Sequence, residues 1–239
     1  MASGAGVLWV SSSIIEASNL SAAAFDDWYE NDHALEVLAL PGVPSAIKYK
    51  TLDPNCSSSP NLITYEFPDL AYTASPQFTV VANKSPTEDL VARIYANAAF
   101  DIRFYSELPT PSPPHPSPHD PEVDLKLASI ALSPVSGRES EFLLWFAKDL
   151  AEGLSSVDGF VRLRRFEFVQ GVQRERNVVS LPDRPKYLVL AKFEGDVGGI
   201  KEEVEGWVAK GGLSSAEVGW YGVKRVWAEG DVEKVGEAP

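Results

Sequence analysis

The residues best suited to chemistry lie in one short segment, Phe25-Asp-Asp-Trp-Tyr-Glu-Asn-Asp-His-Ala34. His33 has an unperturbed pKa near neutrality, which suits a general acid or base. Tyr29 stands four residues earlier, so on a helix both side chains reach toward one cavity, the phenol as acid or orienting donor. Asp32 is a carboxylate placed to tune His33, although adjacent helix positions do not face each other. Trp28 is a packing residue that also lines a pocket. With Phe25, these residues fall within an arc of about 140° at roughly 100° per residue. Tyr49, Tyr65 and Arg103, together with Lys48 and Tyr105, lie on predicted strands and are candidates to line a substrate cavity. Which face each takes turns on one residue of register.

Other chemical constellations are weak. His115 and His119 have helical metal-ligand spacing, but Pro116 and Pro118 prevent the helix that would join them, so no metal site is expected. The run Arg162-Leu-Arg-Arg165 alternates along a strand and is expected to be a solvated face. Gly198-Gly199 and Gly211-Gly212 mark turns. No nucleophile elbow, dinucleotide fingerprint or P-loop is present, and the reaction expected is cofactor-independent.

The elements that position these residues occur twice. Phe25, Trp28, Asp32, Ala34 and Gly42 align without a gap with Phe142, Trp145, Asp149, Ala151 and Gly159. Each segment follows a strand-like run (6–13 and 125–132) and ends in a glycine that opens another strand (44–51 and 161–169). Residues 61–67 form a third predicted strand, rich in β-branched and apolar residues. Ser85-Pro-Thr-Glu has capping-box spacing and opens a helix to about residue 99, before a strand over 101–107. Ser136-Gly-Arg-Glu opens the first helix of the second half; residues 187–193, 200–210 and 218–228 are its later strand, helix and strand. Residues 70–84 fit this order least well and are left as a short extra strand or helix.

The fold class predicted is therefore α+β, with tandem ferredoxin-like β-α-β-β-α-β repeats forming an intramolecular, pseudo-dimeric α/β barrel. Residues 1–108 are the first half, 109–121 a proline-rich linker and 122–239 the second half. Such a linker neither forms a helix nor pairs centrally in a sheet; its reach is roughly 40 Å at about 3.1 Å per residue. Two sheets facing each other cover the apolar faces that either half alone would expose.

Composition sets bounds on partners. The chain has 239 residues, is 44% hydrophobic and carries a formal net charge of −13. That acidity disfavours nucleic acid, where phosphate neutralisation by Lys and Arg dominates, and anionic membrane surfaces. No apolar run reaches the length of a membrane span. The start lacks the positive region of a secretory signal, and Cys56 is the one cysteine, so a reducing cytoplasm is expected.

The segment Phe25-x-x-Trp28-Tyr29-x-x-Asp32-His33-Ala34, followed by Leu40-Pro41-Gly42 and a strand, resembles the dimeric α/β-barrel superfamily and, within it, the EthD-like proteins. The likeness covers both halves in topology, but the histidine signature occurs only in the first. It implies a cavity between the two sheets that binds small, mostly apolar molecules. It also implies a cofactor-independent enzyme of secondary metabolism, of lyase, isomerase or cyclase type. Such an enzyme would perform decarboxylation, dehydration, cyclisation or isomerisation on a polyketide- or terpenoid-like substrate. His33 would be acid/base, assisted by Tyr29 and Asp32, with Trp28, Tyr49, Tyr65 and Arg103 around the substrate. The alternatives are a non-catalytic binding or carrier module and a cofactorless monooxygenase. The chain is expected to be a monomer, as an internal pseudo-dimer, or a homodimer. The second half offers an internal control: it has Phe146 for Tyr29 and Leu150 for His33.

Overall fold

The computed structural model describes residues 3–56, 59–110 and 124–234. Among the described residues, nine strands form one antiparallel sheet: β1 (Gly6–Ile14), β2 (Ala46–Thr51), β3 (Asn61–Phe67), β4 (Ala98–Leu108), β5 (Lys126–Pro134), β6 (Phe160–Glu175), β7 (Val178–Ser180), β8 (Tyr187–Phe193) and β9 (Leu213–Trp227). Their order is β4-β1-β3-β2-β9-β5-β8-β6-β7, and β4 also pairs with β6. That last pairing, from Ala99↔Glu175 to Leu108↔Arg165, closes eight strands into a barrel. The order β4-β1-β3-β2 recurs as β9-β5-β8-β6, and the halves join head to tail through β2–β9 and β4–β6. The fold is α+β, as the repeat predicts. The proposed linker lies mostly outside the described residues, which include only Pro109 and Thr110 of it.

Period-2 alternation divides the core into three layers. Val7, Trp9, Tyr49, Leu62, Tyr105, Phe166 and Leu188 fill the barrel interior. Leu8, Val10, Ile63, Tyr65 and Phe67 point outward, under the helices of the first half. Ala128, Ile130, Val189 and Ala191 do the same in the second half. Each large side chain so buried contributes about 1.5–3 kcal/mol.

The first-half helical segment runs from α1 (Ala22–Trp28) through a π-helical turn (Tyr29–His33) into α2 (Ala34–Leu38). Ser21 caps it, accepting from the Ala24 amide at 3.2 Å. The second-half counterpart is α5 (Glu139–Leu144), a π-turn (Trp145–Asp149) and α6 (Leu150–Ser155). Residues 70–84 hold a 3₁₀ turn (Leu70–Ala74) and α3 (Pro76–Ala82), started by Asp69 and Ser75 caps. α4 (Glu88–Leu90) and a π-turn (Val91–Tyr95) precede β4, and α7 (Val197–Ala209) precedes β9.

Three boundaries differ from the sequence expectation. Thr87, not Ser85, is the cap of α4; its backbone is extended and its hydroxyl accepts from Leu90. Ser136 does not cap α5: Arg138 holds that position with no side-chain cap bond, and its guanidinium pairs with Glu141. β6 extends well past residue 169 and returns through Arg176 and Asn177, both at positive φ, as a two-residue hairpin to β7. The mostly polar residues 170–175 carry no strong strand signal, yet they supply part of the edge that β4 needs for closure.

Candidate active site

α1 and its π-turn lay a continuous aromatic surface on the outer face of the first-half sheet. Trp28 is surrounded by Phe25, Tyr29, Tyr95 and Phe100 at centroid distances of 5.8, 5.5, 5.7 and 6.2 Å. His33 stacks on Trp28 at 5.0 Å and 15°, and meets Tyr29 edge-on at 5.3 Å. Burial in these rings disfavours the imidazolium and pushes the His33 pKa down to about 4. Glu36 opposes that shift, while Arg174 and Lys84 add to it. His33 is thus an unprotonated base at neutral pH.

Tyr65, on β3, is fully buried beneath this surface, and its hydroxyl makes no hydrogen bond of acceptable geometry. It lies close enough to Tyr29 for each phenol to affect the other's ionisation. Burial raises both well above the usual tyrosine value. Tyr95 is raised by the same cause. Two buried phenols, the half-buried Tyr95 and a neutral imidazole therefore share one apolar layer. The Tyr65 hydroxyl faces the Tyr29 hydroxyl within this layer.

A cation holds the helix over this layer. Lys48, nearly fully buried on β2, donates to Asp26 at 2.6 Å and Glu30 at 2.8 Å and lies 5.7 Å from the Tyr29 ring. Arg225 on β9 reaches Glu30 at 3.1 Å. Burial raises the Glu30 pKa, but Lys48 and Arg225 outweigh it and hold the carboxyl below its usual value.

The sequence candidates divide between the two faces of the sheet. Tyr29, Trp28, His33 and Tyr65 meet in the outer layer. Tyr49 and Arg103 lie on the barrel side: Tyr49 packs in the interior, and the Arg103 guanidinium sits 4.7 Å over the Trp9 ring. They do not share a site with His33, and the cavity expected between the sheets is not where the histidine points. Asp32 is exposed, and the carboxylate that acts on His33 is Glu36, three residues on and so on the same helix side. Lys48 points under the helix, not into the barrel. The Arg162–Arg165 run is not simply solvated. Arg164 pairs with Glu107 and Glu66, while buried Arg165 donates to the carbonyls of Phe146 and Pro109. Sequence reasoning missed the Asp26–Glu30 pair, whose i,i+4 spacing was a visible signal. Tyr95 and Arg174 had none.

Comparison of the halves isolates what is special in the first. The registers Gly6↔Phe67 and Lys126↔Phe193 place Tyr65 and Ala191 at equivalent positions, and Lys48 and Arg165 likewise. Lys48 under Tyr29 is thus mirrored by Arg165, 5.4 Å from the Phe146 ring. The π-turn is also repeated, so it belongs to the scaffold. His33, Tyr29 and Tyr65 become Leu150, Phe146 and Ala191: all three polar groups are lost.

Fold and layer together define an α+β barrel protein with an aromatic, base-containing layer on one half. No protein-family model and no curated protein matches the sequence. Among solved structures, the chain is similar to an anthrone oxidase-like protein, with a TM-score of 0.58, 12% identity and 99% and 97% of the two chains covered. It is also similar to a candidate monooxygenase from Lactobacillus acidophilus NCFM, with a TM-score of 0.51, 9% identity and 95% and 97% covered. A third likeness is to a candidate monooxygenase from Fusobacterium nucleatum, with a TM-score of 0.50, 8% identity and 98% and 100% covered. At these identities the likeness is one of fold: the dimeric α/β-barrel architecture, carried here by one chain. Among the described residues, no helix is long and apolar enough to cross a membrane.

Proposed function

We propose that the protein is an EthD-like, cofactor-independent enzyme acting on a small hydrophobic, polyketide- or terpenoid-like molecule in the outer layer of its first half. The observation that carries this is the concentration of His33, Tyr29 and Tyr65 in a layer whose counterpart keeps the scaffold and none of these groups. Aromatic walls suit a flat apolar substrate and keep water from it. His33, neutral at pH 7, removes a proton from an acidic carbon of the substrate. The Tyr65 hydroxyl, with Tyr29 behind it, donates to the oxygen on which the resulting charge settles. Trp28 forms one wall. Asp32, being exposed, takes no part in this scheme. Location in the cytoplasm belongs to the same proposal.

A second form of the reaction is favoured by the matched structures, one described as anthrone oxidase-like and two as candidate monooxygenases. The same proton removal yields a carbanion that can pass an electron to molecular oxygen and combine with it as a peroxide, without a cofactor. Anthrone, with an acidic methylene beside fused rings, is the probe. Incubation in sealed cells with an oxygen electrode separates the forms: oxygen uptake matching product marks oxygenation, and conversion without uptake marks proton-transfer chemistry. His33→Leu, the residue already standing at 150, is expected to lower kcat/KM by about 10²–10⁴. An unchanged rate in that variant overturns the assignment. Binding without turnover would identify a carrier instead.

A further inference from the structure

The opposite face of β4 leads to a second place where charge and space meet. One mouth of the barrel holds a cavity of about 440 Å³, lined by Trp9, Arg103, Ser129, Arg184, Glu217 and Tyr221 among others. The packed interior aromatics form its floor, and the Trp9 indole donates to Ser129 Oγ across it at 3.0 Å.

Two guanidinium groups occupy this mouth, bridged by one carboxylate. Arg103 grips Asp101 through Nε at 3.0 and 3.1 Å and through Nη2 at 2.5 Å. Arg184 reaches the same carboxylate at 3.1 Å and Gln173 at 3.2 Å. Both side chains are deeply buried, at 3% and 10% exposure. Burial works against the charge on each. For Arg103, Asp101, Tyr105 and Glu217 outweigh it and raise the pKa; for Arg184 burial prevails and lowers it. The Arg103–Asp101–Arg184 unit thus carries one net positive charge. Its neutralisation is incomplete in two respects. Among the described residues, the buried Arg184 Nε has no hydrogen-bond partner. The fourth member, Glu217, contacts Arg103 Nη1 at 3.0 Å from a side chain that is 54% exposed. An exposed carboxylate of that kind is weakly held.

A purely structural cap would satisfy both guanidiniums from within. Here the built part of the cluster stops one carboxylate short, and an exposed surface side chain fills the place. We propose that this mouth binds a small monoanionic carboxylic acid with an aromatic or otherwise apolar body. Its carboxylate displaces Glu217, takes Arg103 Nη1 and accepts from the free Arg184 Nε. The planar fork of arginine matches a carboxylate. Asp101 beside it disfavours a doubly charged phosphate, and the Trp9 and Tyr221 rings receive the body of the ligand. This site is separate from the His33 layer, across the sheet from it.

Calorimetric titration of the full chain at pH 7 with sodium benzoate tests the proposal, with benzamide and inorganic phosphate as rival probes. Benzoate should bind with one site per chain and a Kd below about 1 mM, and neither rival should saturate. Arg184→Gln should weaken benzoate binding about tenfold or more. Glu217→Gln, at an exposed position, should strengthen it by removing the internal competitor. His33→Leu should leave it unchanged. Absence of saturable benzoate binding, equal binding by Arg184→Gln, weaker binding by Glu217→Gln, or equal binding of phosphate overturns the proposal. Loss of benzoate binding in His33→Leu would put the ligand in the other layer and overturn it as well.

Discussion

The two helix-covered layers of this barrel are built on one plan and finished differently. Phe25 and Phe142, Trp28 and Trp145, and the cations Lys48 and Arg165 occupy matching places, and a π-turn interrupts both helices. The first layer then adds an imidazole and two phenols where the second has leucine, phenylalanine and alanine. It also compensates its cation with Asp26 and Glu30, where the second half offers Leu143 and Ala147 in the aligned positions. The comparison separates what folding requires from what it does not. Residues present in both layers hold helix to sheet. Polar residues present in one layer alone are surplus to packing and burden it.

The largest effect is expected at the cations. Lys48→Met leaves Asp26 and Glu30 without their main partner and should lower stability by about 3 kcal/mol. Arg165→Met strands no carboxylate and should cost about 1 kcal/mol. Urea midpoints at unchanged m-value read both. Equal losses would mean that the two layers are not compensated differently.

How much of this was legible in the sequence follows from the kind of signal each feature leaves. The repeat was readable because aromatic residues at helical spacing survive in both halves. The barrel followed from it, since two one-sided sheets need each other. Strand facing was not readable: Tyr65 and Arg103 look alike as strand residues, yet alternation sends one under the helix and the other into the barrel mouth. The β6 extension was hidden because Gln170–Glu175 are mostly polar, and their pairing depends on β4, some seventy residues away. Arg184 sits in a loop, where no periodicity marks it.

A smaller effect should appear at Tyr65. Tyr65→Phe removes a buried hydroxyl whose contact with Tyr29 is of poor hydrogen-bond geometry, so stability should stay within about 1 kcal/mol of the wild type. The same change should slow the reaction about tenfold or more, the phenol having lost its donor. A clear loss of stability would show that the hydroxyl is already satisfied, and with it the contrast to Ala191 would weaken.

The pH dependence of stability sharpens the contrast at His33 and Leu150. The folded-state pKa, about 4, lies below the unfolded value of about 6.5. Above pH 6.5 the imidazole is neutral in both states and its contribution is constant. As pH falls from 6.5 to 4 the unfolded chain takes up the proton first, so stability is lost across that window. Urea midpoints at pH 7.5 and 4.5 should therefore drop further in the wild type than in His33→Leu. Parallel drops would place the whole acid response on the carboxylates.

His33 is the centre of this layer as an unprotonated base half-buried against aromatic rings, and NMR titration of the histidine ring protons measures that without a substrate. Of the three histidines, one signal should titrate near pH 4 and vanish in His33→Leu. A His33 signal titrating near 6.5 would contradict the account, since it would show a solvated imidazole and leave the first layer no different in kind from the second.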